Sequence, residues 1–245
     1  MTSIKKIFMP ILAYSFAIAF FSCNGNEEKK DEAKVDETKT ADTVKIEQSA
    51  PPVFTPFKLV IVKHTVTDFD KWKAGYMAHD SMRNAYGLSH YRLGRGIDDQ
   101  KMVLVANKIA DVQKAKEFAA SASLKDAMKK AGVVGKPDVF YVDVVWTDTS
   151  KIPQADRMRI IHKVKDFDSW KKIFDAEGKE KRAQFGLIDR ALERDIDDPN
   201  MVHIVFAISD MAKAKARANS PELKKLMTDA GVTGPPQIFY YKIVE

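Results

Sequence analysis

His64 opens the stretch HTVTDFDKW and His162 opens HKVKDFDSW, so each histidine precedes a tryptophan, Trp72 or Trp170, at the same spacing. An imidazole at the end of a strand can move a proton near neutral pH or ligate a metal. Neither histidine has a second His or a carboxylate at ligand spacing, and a hydrogen-bonded strand-end histidine is the structural alternative. An indole one turn into a helix can wall a pocket and stack on a planar ligand, or it can anchor the helix on its sheet. His79 falls with Trp72 and Tyr76 on one helical stripe, whereas the matching place in the second stretch holds Glu177. That divergence suits a site kept in one copy and lost in the other. Drift, with the polar head reaching water, gives the same pattern. The candidate pocket is therefore His64, Trp72, Tyr76 and His79, with His162, Trp170 and Glu177 in the second copy and no catalytic role assigned.

These residues recur because the chain is written twice. Asp68-Phe69-Asp70-Lys71-Trp72 matches Asp166-Phe167-Asp168-Ser169-Trp170, and His64 matches His162 at the same offset. After the first helix the offset grows by one residue, pairing Gly87 with Gly186 and Ile97-Asp98-Asp99 with Ile196-Asp197-Asp198. Gly132, Gly135 and Pro137 then pair with Gly231, Gly234 and Pro236. Matches so ordered mark a tandem duplication, with repeats at 57–147 and 156–245.

Each repeat reads as βαββαβ. Phe57 to Val66 is β-rich, and Asp68 or Asp70 caps a helix that Gly87 ends. Leu88 to Ile97 and Lys101 to Ile109 form a hairpin about Asp98-Asp99-Gln100. A second helix is expected from Asp111 to Lys130, stopped by Gly132, and Pro137 starts the last strand. The fold class is α+β: two ferredoxin-like repeats with their helices on one sheet face. The other face is apolar, so the repeats pack sheet to sheet as an intramolecular pseudo-dimeric α/β barrel, and a monomer is expected.

The N-terminal segment differs in kind. Lys5 and Lys6 precede an apolar run from Ile7 to Phe21, which has the layout of a secretory signal and is short for a spanning helix. The single cysteine, Cys23, follows it. Phe20-Phe21-Ser22-Cys23 resembles a bacterial lipoprotein lipobox, which implies a signal peptide at 1–22 and acylation of Cys23. Dual acylation would anchor the chain to a membrane, giving a cell-envelope location, on the outer membrane. Residues 23–56 alternate in charge without an apolar period and read as a disordered tether ended by Pro51, Pro52 and Pro56. The net charge of +6 is spread among acidic residues with no dense basic run, so no nucleic-acid partner is expected.

The repeats resemble the dimeric α/β-barrel superfamily, close to the antibiotic-biosynthesis-monooxygenase-like domains. The resemblance is carried by Val-x-Asp-Phe-Asp-x-Trp, the Asp-Asp hairpin and the Gly-Val-x-Gly-x-Pro lead into the last strand. It implies a cavity between helix and sheet where related domains hold aromatic substrates or haem. Two functions follow, beside a purely structural reading as a lipoprotein that scaffolds an envelope assembly. The leading expectation is a lipid-anchored protein that binds a small apolar or aromatic ligand, or a partner, without catalysis and without a cofactor. The alternative is a cofactor-independent or haem-using monooxygenase with its pocket in the first repeat, His79 serving as base or axial ligand. No phosphate loop, HExxH, paired cysteines or Gly-x-Ser-x-Gly elbow is present.

Overall fold

The computed structural model describes residues 54–244; the expected signal peptide, Cys23 and nearly all of the tether lie outside them. The first repeat runs β1 (Phe57–Val66), α1 (Phe69–Ala78), α2 (Asp80–Ala85), β2 (Leu88–Gly96), β3 (Met102–Ile109), α3 (Val112–Ala120), α4 (Ala122–Lys130) and β4 (Val133–Thr147). The second runs β5 (Asp156–Val164), α5 (Phe167–Glu177), α6 (Lys179–Gln184), β6 (Leu187–Asp195), β7 (Met201–Ile208), α7 (Met211–Asn219), α8 (Pro221–Asp229) and β8 (Val232–Ile243). Both are βαββαβ units in which each expected helix is broken once.

The breaks have local causes. Ser121 sits between α3 and α4 in an extended conformation, and its hydroxyl accepts from Leu124 N, so it caps a new helix instead of continuing the old one. Ser220 does the same for α8. The expected single helix from Asp111 to Lys130 is thus two. His79 separates α1 from α2, and Gly178, at φ +79°, separates α5 from α6. Asp68 and Asp166 cap α1 and α5 by accepting from Lys71 N and Ser169 N. The last strand of the first repeat begins at Val133, before the expected Pro137.

The eight strands form a closed antiparallel barrel in the order β1-β3-β2-β8-β5-β7-β6-β4. Closure comes from edge pairing: β4 pairs with β6 and β2 with β8, so neither repeat keeps a free edge. Strand alternation then sorts side chains. Leu59, Ile61, Leu104, Ala106, Val142 and Val144 fill one side of the first repeat's sheet together with Tyr241 from the second repeat. Val60 and Val62 face the other way, toward Ala115 and Phe118 of α3. Gly94 permits a close approach of the repeats, because a Cβ there would lie 2.3 Å from the Tyr241 ring. One ion pair is buried between strands β5 and β6: Arg159 donates to both Glu193 oxygens at 2.6 and 3.2 Å.

Candidate functional site

In the first repeat the helices stand off their sheet and leave a cavity of about 350 Å³. Val60, Val62 and Val105 give its sheet wall, and Phe118, Leu124 and Met128 its helix wall. Of the candidate residues, His64, Trp72, Tyr76 and His79 all border it. The equivalent space in the second repeat is about 80 Å³, bordered by His162, Trp170 and Glu177.

Trp72 is buried and lies against Tyr76, with ring centroids 5.3 Å apart and planes 15° from parallel. The Arg83 guanidinium lies 3.8 Å from the centre of the Tyr76 ring. At its polar end the Tyr76 hydroxyl donates to Asn107 Oδ1 at 2.7 Å and accepts from His90 Nδ1 at 3.0 Å. Burial pushes the phenol up to about 12, against the pull of Arg83, so it stays protonated and remains a donor. Asn107, itself buried, is thereby held as the polar group of the sheet wall.

His79 occupies the break between α1 and α2, and its Nδ1 lies 2.6 Å from Gly75 O. Since a carbonyl can only accept, Nδ1 carries the proton and donates, leaving Nε2 as the basic nitrogen. His64 behaves differently. Its ring sits 5.2 Å from Trp72, and both nitrogens are covered and unpaired among the described residues. Burial pushes it down to about 4, so it is neutral. His162 repeats this on Trp170 at 5.4 Å, with both nitrogens unpaired among the described residues and its value also pushed down to about 4 by burial. The histidine–tryptophan pair is common to both repeats, whereas the cavity is not.

The second repeat is filled mainly by larger side chains at matching positions. Ile173 stands for Gly75, Phe206 for Asn107 and Leu226 for Ala127, while Phe174 stands for Tyr76 without its hydroxyl, and all four border the residual space. Its charged groups are closed on one another. Arg182 donates to both Asp189 oxygens at 2.8 and 2.6 Å, and Glu177 accepts from Arg217 at 2.7 Å. Glu177 is the last residue of the longer α5, so the structural counterpart of His79 is Gly178, one place beyond the position expected from the sequence offset.

Asn107, His90 and Arg83 complete the site and were not singled out from the sequence. A signal existed in the self-alignment: a buried Asn opposite Phe206, and Gly75 opposite Ile173, are polar or small residues where the sister copy is bulky and apolar. Among the described residues no group of three or more His, Cys, Asp or Glu could hold a metal ion.

No protein-family profile matches the chain, and no curated protein matches it. Solved structures do. An anthrone oxidase-like protein aligns over 77% of this chain and 92% of its own, with TM-score 0.53 and 14% identity. The fold is two ferredoxin-like repeats closed into one pseudo-dimeric α/β barrel within the chain. A monooxygenase-like protein from Listeria innocua aligns over 77% and 95%, with TM-score 0.45 and 11% identity. A ferredoxin-fold protein related to antibiotic biosynthesis monooxygenases from Listeria monocytogenes aligns over 78% and 97%, with TM-score 0.44 and 10% identity. At these identities the likeness concerns the fold, and function rests on the site.

Proposed function

We propose that the first repeat is an oxygenase site for a small, planar, largely apolar molecule with an acidic C–H or O–H group, and that the second repeat is its scaffold. The observation that carries this is His79: its Nδ1 is fixed by Gly75 O, so the basic Nε2 belongs to a residue bordering a cavity that the sister repeat lacks. His79 takes the substrate proton. Asn107, anchored by Tyr76, offers hydrogen bonding to the oxygen on which charge collects. The resulting carbanion is electron-rich enough to reduce O2 directly. A CH2 becomes C=O and the second oxygen atom leaves as water, so electrons balance without a further reductant.

Anthrone, the substrate class named for the fold relative, is the natural probe. Oxygen uptake with anthrone should fall by roughly 100-fold or more in His79→Gln and remain intact in His162→Phe. Tryptophan quenching by anthrone without any oxygen uptake would instead favour a protein that binds without turnover. Were haem bound, His79 would be the residue to hold it through Nε2, its other ring nitrogen being tied to Gly75 O, and the haem would supply oxygen activation. Hemin titration separates the readings: a Soret shift lost in His79→Ala supports the haem-using form.

We also propose, from the sequence alone, that Cys23 is acylated and holds this barrel at an envelope membrane. Mass spectrometry of the mature chain tests it; an unmodified Cys23 on a soluble protein overturns it.

A further inference from the structure

We infer that the molecule taken by the first-repeat cavity is an amphipathic anion, its apolar body enclosed and its charged group at Lys125 and Lys136. The inference rests on the pocket reading above and deepens it to a substrate class. The cavity is bordered by Arg83, Lys125 and Lys136, and among the described residues no Asp or Glu borders it. The two lysines are exposed, at the margin of the cavity, and neither is tied to a carboxylate among the described residues.

The sister repeat shows what balance looks like. There Arg182 and Arg217 are matched by Asp189 and Glu177, whose side chains are only 14% and 12% exposed. In the first repeat His90 takes the place of Asp189 and Phe118 that of Arg217, while Lys136 stands where the second repeat has Pro235, so an acid and an arginine are lost and a lysine is gained. Among the described residues Arg83 has Asp80 as its carboxylate partner, at 3.1 Å and with a side chain 56% exposed, besides donating to Tyr76 O, and its buried Nε has no acceptor. An exposed carboxylate is screened by water and offsets little of that charge. Positive charge around a low-dielectric void raises the local concentration of anions and holds them with the apolar part buried. The same field stabilises the negative charge that proton removal by His79 would create.

The test uses two fluorescent probes sharing one body: 1-anilinonaphthalene-8-sulfonate, which is anionic, and N-phenyl-1-naphthylamine, which is neutral. Wild-type protein should bind the anion roughly tenfold more tightly, with the preference shrinking as salt is raised toward about 0.5 M. Lys125→Gln/Lys136→Gln should bring the two affinities to parity by weakening the anion alone. Gly75→Ile, which the neighbouring Ala131 Cβ at 3.5 Å leaves room to begin, should weaken both. Equal wild-type affinities, or a preference that survives the double lysine variant, overturn the charge inference and leave the pocket standing. Failure of both probes to bind wild-type protein, or binding indifferent to Gly75→Ile, overturns the pocket and the inference together.

Discussion

The two repeats share a skeleton and differ in what they leave empty. Both carry a capping aspartate, a buried tryptophan and a neutral histidine against it that is unpaired among the described residues, at nearly the same ring separations. One encloses about 350 Å³ and the other about 80 Å³. What a duplicated chain retains in both copies is what the fold requires, so His64 and Trp72 are read first as architecture. What it retains in only one copy is where function is to be sought: Gly75, Tyr76, His79 and Asn107. The second repeat spends the same positions on packing and on closed ion pairs.

The comparison breaks most sharply if the first repeat is made into the second. Gly75→Ile with Asn107→Phe should reduce anthrone binding by at least ~100-fold, since the apolar volume that holds the ligand is filled. Thermal stability should hold or rise, because a partly empty space gains dispersion contacts. Retained binding in a folded double variant would place the ligand elsewhere. The converse change touches stability alone. Asp189→Ala leaves the buried Arg182 guanidinium without its bidentate partner and should cost about 3 kcal/mol in urea unfolding, as removing one member of a buried pair does. Its counterpart His90→Ala, at an exposed position, should cost less than about 1 kcal/mol, and anthrone binding should respond only to the latter.

Acid should act on the two histidine–tryptophan pairs alike. His64 and His162 have folded-state values near 4 against an ordinary 6.5. Between those values the unfolded chain holds protons that the folded chain does not. Stability is therefore whole above about pH 6.5 and is lost as pH falls toward 4, by about 2 kcal/mol per histidine at pH 5. Burial pushes His203 down to about 2, with Arg159 adding to the effect, so it loses stability over the same fall and on to lower pH. Urea midpoints across this range for His64→Phe and His162→Phe should flatten by similar amounts. A response confined to one variant would show that the pairs are not equivalent and would return His64 to the list of functional groups.

Much of the fold was legible because it is written in punctuation and periodicity. Asp68 and Asp166 before an apolar stripe, Gly87 and Gly186 at φ +73° and +75°, and the Asp-Asp hairpins each dictate local geometry without help from the rest of the chain. The helix breaks escaped notice because the apolar stripe runs through Ser121, and only the cap geometry of that serine shows the turn. The pairing of His79 slipped by one because an offset change fixes that a residue was added, not where; the added residue lies in α5. The cavity was illegible for another reason. Empty space is set by the summed volumes of side chains from four elements, and no single position among Gly75, Ala127 and Asn107 announces it.

The finest test of the comparison is at its seam. Lys116 of α3 meets Asp197 in the second hairpin at 2.7 Å, and Lys215 of α7 meets Asp98 in the first at 3.0 Å. Each hairpin is also held by backbone to the sister repeat, through Ile97 N to Tyr240 O at 3.0 Å and Ile196 N to Tyr141 O at 2.8 Å. Because those backbone bonds remain and all four charges are substantially exposed, Asp98→Asn and Asp197→Asn should each cost under about 1 kcal/mol. The losses should be equal and should fade together near 1 M salt, where the Debye length is about 3 Å. Equality is the sensitive part: the two contacts exchange under the rotation that relates the repeats, so unequal costs would mean that the divergence seen around the cavity reaches the docking of the repeats themselves.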